Sequence, residues 1–99
     1  MDALWFMTLE FIRDMQALGV RVILLTSGPV NNYNATDKNL VLTQNARVMA
    51  LPASVIKVPF GDAVALNGNI NPLYNSGDGV HYNDAGYELK ASLVWAAIN

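Results

Sequence analysis

The run Val20-Arg21-Val22-Ile23-Leu24-Leu25-Thr26 is almost continuously apolar and rich in β-branched residues. A strand of that composition is covered on both faces, as strands of a parallel sheet are. Parallel neighbours are joined by crossovers, so the run requires a second strand beside it and helices on the way. The flanking sequence supplies both. Residues 2–18 read as an amphipathic helix, with Asp2 as its cap and Gly19 as its stop. Its apolar residues Leu4, Met7, Phe11, Met15 and Leu18 recur at helical steps. Thr36-Asp37 starts a second helix that runs to about Ala50, with Leu40, Val41, Gln44, Val48 and Leu51 on one face and Pro52 behind it. Residues 54–58 read as a short second strand ended by Pro59, and residues 61–66 as a short helix. Residues 67–79 are dense in Asn and Gly and read as a long loop. A last helix spans about residues 84–98, capped by Asn83, with Ala85, Leu89, Leu93 and Ala96 as its stripe and Val94, Trp95 and Ile98 widening it.

The order α-β-α-β-α, closed by right-handed crossovers, makes the two strands parallel and lays helices over them. The expected class is α/β, a three-layer α/β/α arrangement on a parallel sheet. Two parallel strands alone make a poor core, so the pattern anticipates further strands from elsewhere. Composition agrees. The 99 residues make at most one domain, and with 53% hydrophobic but only 14% charged residues the chain has little with which to cover its own surface. A missing N-terminal half or a partner chain is therefore expected. A net charge of −2 gives no electrostatic case for nucleic acid. No basic cluster suggests a membrane surface, and no apolar run approaches a bilayer's thickness. The absence of cysteine excludes disulfide and thiolate chemistry and fits either redox compartment. Asp2, Glu10, Arg13 and Asp14 interrupt the N-terminal stretch, which does not read as a signal peptide; localisation stays open.

The chemistry concentrates in Gly77-Asp78-Gly79-Val80-His81-Tyr82-Asn83-Asp84-Ala85-Gly86-Tyr87. The chain's sole histidine stands three residues after an aspartate there, in a glycine-flanked loop ahead of a helix. A carboxylate so placed can accept from one imidazole nitrogen and fix the tautomer, which frees the other to take a proton from a nucleophile. The plain alternative is a turn aspartate bonded to its own backbone. Asp78, His81 and Asp84 are also spaced for a metal, but no second His or Cys joins them. The loop Ser27-Gly28-Pro29-Val30-Asn31-Asn32-Tyr33-Asn34 leaves the carboxyl end of the first strand, where open α/β sheets bind ligands. Asn31 and Tyr33 are its candidate substrate-binding residues, with Val80 beside His81 as a third. Ser27 lacks a strained, glycine-flanked elbow before a helix and reads as a turn or capping residue. Tyr33, Tyr74 and Tyr82 all fall in expected loops and could line a sugar groove in a non-catalytic binding module.

Asp78-Gly79-Val80-His81, followed by Tyr82-Asn83-Asp84-Ala85-Gly86-Tyr87, closely resembles the last sequence block of the SGNH (GDSL-type) ester hydrolases. The resemblance implies a flavodoxin-like SGNH hydrolase fold and serine esterase chemistry of the Ser-Asp-His type. His81 would be general base and then general acid, with Asp78 orienting it. It implies a small-molecule or glycan ester substrate, such as an acetylated sugar or a lipid ester, and no metal or organic cofactor. The family's nucleophilic serine lies in an N-terminal Gly-Asp-Ser block, and its oxyanion glycine and asparagine come from two middle blocks. None of these is recognisable here. Residues 1–99 therefore resemble the C-terminal part of such a domain, supplying Asp and His without the serine, and the chain alone is expected to be inactive.

Overall fold

Ile23–Leu25 (β1) and Ile56–Val58 (β2) pair in parallel, in the register Ile23↔Ile56, Leu24↔Lys57 and Leu25↔Val58. The structure, a computed structural model, describes residues 3–99, so the expected cap Asp2 lies outside the described residues. Both strands are shorter than the apolar runs that hold them, because a ladder extends only as far as its partner does. One bond beyond each end, from the Ile56 amide to Val22 O and from the Thr26 amide to Val58 O, marks its limits.

Side chains leave a strand alternately to its two sides. Ile23 and Leu25 pack against the buried cluster of Val58, Phe60, Val64 and Ile70, which Leu89, Leu93 and Val94 of α4 (Asp84–Ile98) also cover. Val22 joins Ile12 of α1 (Ala3–Ala17) and Val55 in a second cluster, lined by Leu24, Met15 and Leu51. The strand pair thus takes cover from α4 and from α1. All of β1 is nevertheless only half-buried, less than its composition anticipates. Among the described residues its sheet has two strands, and the outer edge of β1 borders no third.

The face that α1 buries also differs from the expected one. Trp5 and Ile12 are its buried residues, whereas Leu4, Met7, Phe11 and Leu18 of the anticipated stripe are exposed. Helix α2 (Ala35–Met49) begins one residue before Thr36, because Asn34 takes the cap position and its side-chain oxygen accepts from the Asp37 amide at 2.8 Å. None of its residues is fully buried, and Leu40 of its expected face is exposed.

The segment 61–66 is not one helix. Helix α3 (Phe60–Val64) ends at Val64, and Ala65–Leu66 (β3) pairs antiparallel with Asn69–Ile70 (β4). Asn67 and Gly68 connect them with φ of 52° and 80°. This is the left-handed pair that an Asn-Gly hairpin turn requires. A short 3₁₀ turn, Pro72–Tyr74, follows, capped by the Asn71 side chain on the Leu73 amide. The stretch 67–79 is thus partly regular rather than one loop. The hairpin turns Ile70 into the core beside Phe60 and Val64. Asn83 caps α4 as expected, its side-chain oxygen accepting from the Gly86 amide at 3.0 Å.

Candidate active site

The loop between the 3₁₀ turn and α4 is held open by its own asparagines. The side-chain oxygen of Asn75 accepts from the amides of Gly77 and Gly79 at 2.8 and 3.1 Å. Both glycines have positive φ, 119° and 75°, a backbone form that side-chain-bearing residues rarely take. The Asn83 side-chain amide donates back to Leu73 O and Asn75 O, and the Ser76 amide donates to His81 O. The resulting turn presents Asp78 and His81 on one side.

Asp78 Oδ2 lies 2.6 Å from His81 Nδ1. Asp78 Oδ1 accepts from the Val80 and His81 amides, each at 2.8 Å, and from the Ser76 hydroxyl at 3.1 Å. One oxygen thus ties the carboxylate to the loop and the other meets the imidazole. The donors hold the Asp78 carboxyl well below the usual carboxylate range. The largest cause is the His81 amide, followed by the His81 ring and the Val80 amide; slight desolvation opposes them. An ionised carboxylate at Nδ1 accepts a proton-bearing nitrogen, which leaves Nε2 as the proton acceptor of the ring. The His81 side chain is 70% exposed and the Asp78 side chain 49%, so the ring is accessible from outside the chain.

This loop abuts the one leaving the carboxyl end of β1. The Asn31 amide donates to Gly79 O at 2.8 Å, and the Asn31 side-chain oxygen accepts from the Ile70 amide at 2.8 Å. Tyr82 shares a hydrogen bond with the Gly28 backbone, and its ring meets Phe60 and Tyr87 edge-on at 5.2 and 5.9 Å. Burial, with the Tyr87 phenol beside it, raises the Tyr82 pKa. A Cβ at Gly28 would run into the Tyr82 hydroxyl and Val64. The close approach of the two loops therefore depends on that glycine. Ser27 sits in a clamp, its amide donating to Asn45 Oδ1 and its carbonyl accepting from Asn45 Nδ2, each at 2.8 Å. That engagement is with its backbone.

The other sequence candidates fall in separate places. Asn31 braces the two loops with its amide and side-chain oxygen. Val80 is partly exposed next to His81 and gives its amide to Asp78. Tyr33 is exposed and lines a cavity of about 80 Å³ with Pro29, Val30, Val41 and Leu42, apart from the Asp78–His81 pair in its lining. Tyr74 and Tyr82 pack against the Phe60 cluster. The three tyrosines therefore do not form one aromatic groove. No group of three or more His, Cys, Asp or Glu that could hold a metal occurs among the described residues. No helix there is long and apolar enough to cross a membrane. Sequence reasoning missed the bracing residues Asn75, Ser76 and Asn45. The density of Asn in the loops was their signal, but which carbonyls and amides each would meet depends on contacts distant in sequence.

Helices flanking a parallel strand pair, with an Asp–His pair in a loop touching the strands' carboxyl end, give this chain an α/β fold of the acylhydrolase kind. It is similar to the crystal structure of a candidate acylhydrolase from Bacteroides fragilis, with a TM-score of 0.77 and 26% identity over 93% of this chain. The chain spans about half of that protein, 48% of its length. No protein-family model matches the chain, and no curated protein matches it.

Proposed function

We propose that this chain is the Asp- and His-bearing part of an SGNH (GDSL-type) serine ester hydrolase, built on a three-layer α/β/α parallel sheet. The observation that supports it most is the 2.6 Å contact of Asp78 Oδ2 with His81 Nδ1, in a loop braced against the one following β1. The likeness to a candidate acylhydrolase supports the same reaction class. In this reading Nε2 of His81 takes the proton of a serine hydroxyl as that oxygen attacks the ester carbonyl. It then returns the proton to the leaving alcohol, and a water repeats the cycle on the acyl-enzyme. Asp78 stays ionised, orients the ring and stabilises it when protonated. The serine and the oxyanion donors come from outside these residues, and without them the tetrahedral intermediate has no support. The substrate is a carboxylic ester of a small molecule or a glycan.

Fusion to an N-terminal half carrying the family's Gly-Asp-Ser block tests the reading. The fusion is expected to hydrolyse p-nitrophenyl acetate. His81→Ala should lower kcat/KM by about 10³-fold or more, and Asp78→Asn by a comparable or smaller factor. Undiminished hydrolysis with alanine at position 81 would remove His81 from the reaction.

A further inference from the structure

Asn67 is the chain's only asparagine followed by glycine. The side-chain amide of an asparagine is an electrophile, and the backbone nitrogen of the next residue is the nucleophile nearest to it. Ring closure between them is fastest before glycine, because no Cβ crowds that nitrogen. Asparagine counts among the thermolabile residues of proteins for this reason. How readily a given pair reacts depends on what holds it. Asn67 and Gly68 are both exposed, at the tip of the β3–β4 hairpin. Neither the Asn67 side chain nor the Gly68 amide makes a hydrogen bond among the described residues. A Cβ at Gly68 would meet nothing within 4 Å, so the space around the pair is open. Each strand of the ladder is two residues long, and Leu66 and Asn69 next to the turn are exposed. The tip can therefore rotate without lifting Ile70 from the core.

Two other pairs carry related chemistry, and both are locked. At Asn75-Ser76 the Asn75 side-chain oxygen accepts from the Gly77 and Gly79 amides, and the Ser76 amide donates to His81 O. At Asp78-Gly79 the carboxyl is held ionised, which makes it a poor electrophile, and the Gly79 amide donates to Asn75 Oδ1 at 3.1 Å. Electrophile and nucleophile are thus both engaged in each. Of the three pairs, only the one at the hairpin tip has both groups free among the described residues.

We infer that Asn67 is a site of spontaneous modification, and that its reaction loosens the brace behind Asp78 and His81. The Gly68 nitrogen attacks Cγ of Asn67 and gives up its proton. The bond from Cγ to the side-chain nitrogen breaks, ammonia leaves, and a succinimide ring joins the two residues. Water then opens the ring at either carbonyl. Opening at Cγ gives aspartate. Opening at the main-chain carbonyl gives isoaspartate, in which the chain runs through the former side chain. Water is the only other reactant. Each product adds a negative charge to a chain whose net charge is −2. Isoaspartate also inserts a carbon into the main chain of a two-residue turn. The register Ala65↔Ile70 and Leu66↔Asn69 suits that short connection, and an inserted atom shifts or opens it. Two contacts follow the register: the Ile70 amide on Asn31 Oδ1, and the Asn69 side-chain oxygen on Lys38 Nζ, each at 2.8 Å. Asn31 in turn holds Gly79 next to Asp78. The inference rests on the hairpin and not on the esterase reading.

The test holds the full chain in mildly alkaline buffer and follows each residue by peptide fragmentation in a mass spectrometer, with isoaspartate counted by enzymatic carboxyl methylation. Residue 67 should gain the mass of an amide turned into a carboxyl at least tenfold faster than residue 75. Isoaspartate should accumulate at position 67 and not at position 78. Asn67→Gly keeps a pair suited to the left-handed turn but has no amide to cyclise, and it should abolish the signal. In the modified form, separated by anion exchange, amide exchange at Ile70 should quicken at least tenfold. In Asn67→Gly kept for the same time it should stay as in fresh Asn67→Gly. An unchanged residue 67, equal rates at 67 and 75, or modification only after unfolding in urea overturns the inference. Isoaspartate at 67 with the Ile70 amide as protected as before overturns its link to the site. None of these readouts involves ester hydrolysis, so an inactive enzyme counts against the esterase reading and leaves the modification site standing.

Discussion

Asp78 divides its two oxygens between structure and chemistry. Oδ1 is bound by the Ser76 hydroxyl and the Val80 and His81 amides, while Oδ2 is kept for the His81 ring. All of these donors favour the ionised carboxylate, so the group holds its charge below the ordinary value of 3.8. A depressed carboxyl contributes to stability fully above its unfolded pKa and loses that contribution as pH falls through the folded pKa. The Asp78–His81 turn should therefore persist through the mildly acidic range and loosen only below pH 3.8. At pH 3.8 an unperturbed aspartate is half protonated, but the Asp78 carboxyl carbon should still show the chemical shift of a carboxylate by NMR. A half-titrated signal at or above that pH would mean that the amide donors do not hold the group as described.

The hairpin β3–β4 illustrates how a small element positions the site. It buries Ile70 and turns the Ile70 amide onto Asn31, whose own amide holds Gly79 next to Asp78. Its turn depends on Gly68 at φ 80°. A Cβ at that position meets nothing within 4 Å, so the cost of Gly68→Ala lies in the backbone alone. It should destabilise the protein by about 1 kcal/mol, measurable as a lower urea midpoint at unchanged slope. A neutral result would show that the turn is not held in the left-handed form. The Asn-Gly pair was visible in the sequence, yet with only two residues on either side the apolar alternation was too short to separate hairpin from helix end.

Across the whole molecule one cluster ties the strands to the site. Phe60 is fully buried among Val58, Val64 and Ile70, meets the Tyr82 ring edge-on, and lies under the Lys90 ammonium at 5.1 Å. Phe60→Ala removes the contact between β2, α4 and the residue following His81. It should cost about 3–5 kcal/mol in denaturant unfolding, a large part of a small domain's stability. A loss under 1 kcal/mol would mean that the cluster is not the core.

The helix between the two strands, the last helix with its Asn83 cap and the Asp78–His81 spacing were readable in the chain because each depends on residues close in sequence, and the parallel pairing followed from the helical crossover that joins β1 to β2. Periodicity, a cap and a three-residue spacing carry their physics locally. The face α1 buries was not readable in this way. Its stripe of Leu4, Met7, Phe11 and Leu18 is regular, but regularity says only that some surface covers it. Which surface depends on where Trp5, Ile12 and Gln16 find α2, Val22 and Ser54, and those partners lie far along the chain. The same holds for Asn31, Asn45 and Asn75. An asparagine can cap, clamp or bind a ligand with equal ease, and only the folded backbone around it selects which.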